Sequence, residues 1–140
     1  MMRSIPCLFV ALFFWVDAHA QIPDGGAPLT NGDFLHNSRK PSASNARSQV
    51  IDVEHDRFAQ ALRVAVLQEA GAAWSVEVGN PTTRAVAQGD IALIHFWARG
   101  SESTDETGEV FATVYAQKNA PDWDKSLYKN FSVGAAWREF

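Results

Sequence analysis

Along residues 50–140 the apolar positions recur at every second residue, in short runs separated by Gly, Pro, Asn and Asp. A period of two puts alternate side chains on opposite faces of an extended chain. Residues 50–53 (VIDV) make a first short β-rich piece. Within 61–67, Leu62, Val64 and Val66 fall on one face and Arg63 on the other. Within 73–78, Trp74, Val76 and Val78 oppose Ser75 and Glu77. Residues 91–99, 110–117 and 127–133 complete the set, and 137–140 begin another strand. Turn residues stand between them at Gly79-Asn80-Pro81, at Gly89-Asp90 and from Gly100 to Gly108. No stretch of ten or more residues keeps a helical period. Several short strands at this spacing predict an all-β fold, a two-sheet antiparallel β-sandwich of the jelly-roll type.

One segment breaks the alternation. Residues 91–99 (IALIHFWAR) are apolar on both faces for most of their length, as expected of a central strand whose second face is also covered or binds something. With Ala92, Ile94, Phe96 and Ala98 in the core, Ile91, Leu93, His95, Trp97 and Arg99 share the opposite face. The same parity places Phe111, Thr113, Tyr115 and Gln117 outward, with Arg63, Ser75 and Glu77 beside them if the strands share a sheet. Aromatic rings among Arg, Glu, Gln and His suit a pyranose, which offers a weakly apolar C–H face and a rim of hydroxyls. The candidate binding residues are Trp97, Arg99, His95, Tyr115, Gln117, Glu77 and Arg63, with Trp123 and Tyr128 at a rim. Packing is the competing reading for each of these rings. Trp74 and Trp137 read as structural.

The first twenty residues follow another logic. Arg3 precedes an apolar stretch over residues 5–16, and Ala18-His19-Ala20 forms a small-residue cleavage site. The stretch is short for a membrane span. Residues 1–20 are therefore expected to be a signal peptide cleaved after Ala20, 21–28 a flexible leader and 29–140 one β-sandwich, secreted or periplasmic. The segment 37–48 (NSRKPSASNARS) reads as a polar loop. Cys7 is the one cysteine of the chain, so the expected mature protein uses no disulfide.

Composition narrows the function classes. With 12 Lys and Arg against 16 Asp and Glu, the net charge of −4 and the lack of a basic block argue against nucleic-acid binding. There is no HExxH, G-x-S-x-G, P-loop or C-x-x-C, and the histidines lack metal-ligand spacing. Glu102, Asp105, Glu106 and Glu109 crowd a Ser/Thr/Gly loop, which reads as a solvated turn, with weak calcium binding as the alternative. A glycosidase would need two carboxylates held across a cleft. The chain is expected to be non-catalytic.

Asn31-Gly32-Asp33-Phe34, Ala61-Leu62-Arg63-Val64, Trp74-Ser-Val-Glu-Val78, Gln88-Gly89-Asp90 leading to Phe96-Trp97-Ala98-Arg99, and Val133-Gly-Ala-Ala-Trp137 follow one another in an order that resembles the galactose-binding-like jelly-roll carbohydrate-binding modules. The similarity is to families four, nine and twenty-two, which accompany xylanases and related glycoside hydrolases, and it spans residues 29–140. The resemblance implies a two-sheet jelly roll that binds plant polysaccharide on a concave face. It also implies a structural calcium held by an acidic residue just after the NGDF-like start and another in the last strand. Here Leu35 stands at the first of those places, so no cofactor is expected, with a structural calcium as the alternative. The sequence reaches Phe140 just past the Trp that leads into the closing strands of such modules, so the sandwich is expected to lack its last strand or strands.

The resulting expectation is a secreted, monomeric carbohydrate-binding module, accessory to xylan or β-glucan degradation. It would bind a polysaccharide or oligosaccharide, with no nucleic-acid partner and no membrane association after cleavage. The alternatives are a structural or protein-interaction jelly roll without a sugar site, and the N-terminal fragment of a glycoside hydrolase.

Overall fold

The computed structural model describes residues 7–11, 26–30, 32–68 and 72–140. Its elements in chain order are β1 (Cys7–Ala11), α1 (Phe34–Asn37), β2 (Ala46–Asp52), β3 (Gln60–Val66), a 3₁₀ turn (Ala73–Ser75), β4 (Trp97–Ser101), β5 (Val110–Gln117), β6 (Lys125–Val133) and β7 (Arg138–Glu139). The fold is all-β, and among the described residues every strand pairing is antiparallel. Five strands form one sheet in the order β2-β3-β1-β4-β7, and β5 and β6 form a second, two-stranded sheet.

Alternation explains the burial of the best-defined strands. Leu62 and Val64 of β3 are fully buried and cluster with Leu35 of α1 and Ala46 of β2, while Val50, Val76 and Val78 pack against them. A second cluster joins Phe96 and Ala98 to Val110 of β5 and Val133 of β6, with Ile94, Val114, Phe131 and Phe140 around it. Even positions of 96–100 therefore face the two-stranded sheet, as period two predicts. Gly100 marks a close approach of the layers. A Cβ there would lie 2.6 Å from the Val133 carbonyl oxygen and 2.7 Å from Val110 Cγ2.

The NGDF-like start has a local cause. Asp33 is the N-cap of α1, its Oδ1 accepting from the His36 amide at 3.2 Å, and Phe34 and Leu35 turn inward. Lys40 Nζ donates to the carbonyls of Leu35 at 2.7 Å and Ser38 at 3.1 Å, satisfying the far end of the turn. Leu35, at a place where the resemblance implies a calcium ligand, is part of the first core cluster.

Several expectations need correction. Residues 73–78 do not form a strand. The 3₁₀ turn breaks the alternation, so Val76 and Val78 reach the core whereas Trp74 is 74% exposed. The strand expected over 91–99 begins only at Trp97, and Ile91 and Leu93 are exposed. Strand β2 starts at Ala46, inside the segment read as a loop, because its ladder with β3 runs from Ala46–Val66 to Asp52–Gln60. Apart from these corrections, residues 7–11, inside the expected signal peptide, pair with β3 and β4 in the larger sheet of the uncleaved chain. The rest of the expected signal peptide and most of the leader lie outside the described residues.

Candidate functional site

The nine candidate residues fall on two separate surfaces. On the larger sheet, register puts Arg63 and Arg99 in one row, each opposite position 9 of β1. Trp97 lies opposite Glu139 of β7, and His95 Nε2 is 2.6 Å from Glu139 Oε1. His55, Phe58 and Trp137 complete this surface. The His55 ring stacks on Phe58 with centroids 4.0 Å apart and meets Trp97 edge-on at 4.7 Å. Phe58 meets Trp137 at 5.0 Å, and the Arg99 guanidinium lies 4.9 Å from the Trp137 centroid. These half-buried rings occupy one another's faces and edges, so they act as a small outer core over β4 and β7.

The second surface is the outward face of the β5–β6 hairpin. Its cross-strand rows are Phe111–Ser132, Thr113–Asn130, Tyr115–Tyr128 and Gln117–Lys125. Directly paired residues point to the same side, so one strip carries Phe111, Thr113, Tyr115 and Gln117 on β5 against Ser132, Asn130, Tyr128 and Lys125 on β6. Phe111 is 65% and Tyr128 58% exposed. Thr113 Oγ1 donates to Asn130 Oδ1 at 2.7 Å, and Lys125 Nζ lies 5.7 Å from the Tyr115 centroid. An open hollow of about 450 Å³ is lined by Phe111, Thr113, Asn130 and Ser132, with Ala112 and Phe131. Trp123 is exposed in the loop that joins the two strands, with its backbone in the left-handed region at φ 53°.

Polar groups from elsewhere complete one end of this strip. Arg39, just after α1, pairs by backbone with Gly79: its N–H donates to the Gly79 carbonyl at 2.8 Å and its carbonyl accepts from Gly79 N–H at 3.2 Å. The bridge brings the Arg39 guanidinium onto Glu77 Oε1, while the Tyr115 hydroxyl donates to Glu77 Oε2. Glu77 keeps only 20% of its side-chain surface in solvent, against 69% for Arg39. Burial and the neighbouring Glu77 carboxylate, which accepts its hydrogen bond, push the Tyr115 phenol up to about 12. The phenol therefore stays a neutral donor throughout the physiological range.

The structure places Trp97, Arg99, His95 and Arg63 on one surface, and Tyr115 and Gln117 with Phe111 and Thr113 on another. The two groups do not share a sheet, and Glu77 joins the second group without Arg63. Arg39 and Asn130 were not anticipated. Asn130 could have been read from the hairpin register, whereas Arg39 arrives through a pairing with a residue 40 positions away that leaves no local signal. The acidic loop is an exposed turn in which Asp105 Oδ1 accepts from the Thr107 amide at 2.9 Å and hydroxyl at 2.6 Å. Among the described residues no group of three or more His, Cys, Asp or Glu could hold a metal ion, and no helix is long and apolar enough to cross a membrane. Compared with known proteins, the chain matches no family model, no curated protein and no solved structure.

Proposed function

We propose that this chain is a secreted, non-catalytic carbohydrate-binding module of the jelly-roll type, accessory to plant-polysaccharide degradation by a glycoside hydrolase. The glycan lies along the outward face of the β5–β6 hairpin. The observation that carries the reading is the pairing of exposed rings, Phe111 and Tyr128, with the Tyr115–Glu77–Arg39 chain on one strip. Rings cover the C–H faces of the sugars, and the ordered polar chain meets hydroxyls with donors and acceptors in fixed positions. Phe111 and Tyr115 are four residues apart on one strand, about 13 Å at strand rise, so the strip suits an extended ligand.

A protein-interaction role is the second reading, and it has its own observation. Ile94, Phe96, Val114, Leu127, Phe131 and Phe140 line a groove of about 500 Å³ at the side of the second layer, with Lys129 and Arg138 at its margin. Retention on insoluble xylan, cellulose and β-glucan separates the readings. The proposal expects retention on at least one of them without release of reducing sugar. Failure on all three, with the chain folded, favours the interaction module, and sugar release would make the chain an enzyme.

A further inference from the structure

The two layers differ in length. Strands β5 and β6 run for eight and nine residues, whereas β4 has five and β7 two. The inner face of the hairpin therefore outruns the strands that cover it. Val133 at the covered end is 1% exposed, and Leu127 at the other end is 39% exposed. Here the apolar groove of about 500 Å³ lies between the layers, a volume in the range of small-molecule sites. Its floor is aromatic. Phe96 and Phe140 exchange backbone hydrogen bonds at 3.1 and 2.9 Å and stack with centroids 5.1 Å apart. Phe131 lies 5.3 Å from Phe96 and 4.7 Å from Phe140. Ile94, Val114 and Leu127 supply aliphatic walls.

Two cations reach this groove from opposite layers. Lys129 pairs across the hairpin with Val114, which packs against the second core cluster, so the Lys129 side chain leaves from the inner face. Arg138 pairs with the fully buried Ala98 and shares its inner face, with its guanidinium 5.1 Å from the Phe140 centroid. Among the described residues neither cation makes an ion pair, and no Asp or Glu lines the groove. Glu139 follows Arg138 but belongs to the other side of β7, opposite Trp97, with its carboxylate on His95. Asp122 and Asp124 face Lys118 in the hairpin loop. In a chain of net charge −4, the groove is thus a local positive site over an apolar floor.

We infer that this groove binds a small amphiphilic anion, an apolar chain that ends in a carboxylate. The apolar body lies over Phe96, Phe131 and Phe140, and the carboxylate sits with Lys129 and Arg138. Arg138 offers a planar fork of donors that matches a carboxylate, and Lys129 adds a compact charge from the facing layer. Charge complementarity selects this occupant. A cation of the same shape would meet two like charges and no acid, and a neutral chain would leave both cations without a partner. The groove lies on the inner side of the hairpin, whereas Phe111 and Tyr128 lie on the outer side, so the inference does not rest on the glycan reading.

The test is calorimetric titration of the full chain with octanoate, octan-1-ol and octyltrimethylammonium, three probes with one tail and different heads. Octanoate is expected to bind at a single site about tenfold more tightly than the alcohol, with the ammonium weakest. Raising the salt to ~1 M, where the screening length is about 3 Å, should remove most of that advantage without weakening the alcohol. Lys129→Gln combined with Arg138→Gln should bring octanoate down to the affinity of the alcohol and leave thermal unfolding in place, since both side chains are exposed. If that variant does not fold, Lys129→Gln alone must still weaken octanoate more than the alcohol. Amide NMR shifts on adding octanoate should concentrate in residues 127–131 and 138–140. Equal binding of the three probes, no binding of octanoate, or shifts confined to other surfaces overturns the inference. So does self-association of the chain that excludes octanoate, which would make the groove an interface between copies.

Discussion

Trp97 shows how one residue's role depends on what its ring touches. Sequence parity places it outward, and it does point away from Phe96 and Ala98, but its ring meets the stacked His55–Phe58 pair. Trp97→Ala is therefore expected to cost about 1–3 kcal/mol of stability through lost ring packing, read by urea unfolding, while leaving glycan retention in place. Tyr115 supports a pH prediction. Its phenol is raised from 10.0 to about 12, so the folded state favours the neutral form. That contribution is complete below pH 10 and is lost as the pH climbs through 12. Chemical denaturation should show stability falling across this window, and Tyr115→Phe should flatten the fall. An unchanged slope in that variant would mean that the Glu77 contact contributes nothing to the ionisation.

Among the elements, β5 was legible in its bounds, and Val110 and Val114 of its expected inner face do pack into the second core cluster. Strand β3 was nearly as clear, because Leu62 and Val64 flank Arg63. The pattern misled where tertiary contacts override it. Residues 73–78 alternate, yet a 3₁₀ turn whose Ser75 carbonyl accepts from Asn45 Nδ2 at 3.1 Å ejects Trp74 while the two valines stay inside. Ala46, Arg47 and Ser48 look like loop, yet pairing with Val66, Ala65 and Val64 makes them strand. Gly100 belongs to this scale as well. Gly100→Ala should destabilise by about 1–3 kcal/mol, because the new methyl meets the backbone of β6, which cannot yield as a side-chain tip would. Thermal unfolding checks it, and a neutral result would mean that the two layers are free to separate.

At the scale of the whole molecule, an all-β chain with two antiparallel sheets was foreseeable from period-two patterning, while the partition of strands between sheets was not. Parity tells which side of a strand is wet but not which strands are neighbours, so one imagined surface became two. The site we propose joins elements far apart in sequence: the turn after α1 supplies Arg39, the segment beyond the 3₁₀ turn supplies Glu77, and β5 supplies Tyr115. The central claim is that sugar lies on the hairpin face and not on the Trp97 face. The most direct measurement is retention on xylan, cellulose and β-glucan of the unaltered chain beside Tyr128→Ala and Trp97→Ala, each checked for folding. We predict that Tyr128→Ala, which removes an exposed ring, stays folded and weakens retention at least tenfold, about 1.4 kcal/mol, whereas Trp97→Ala is retained like the unaltered chain. Loss of retention in Trp97→Ala with full retention in Tyr128→Ala would contradict the account.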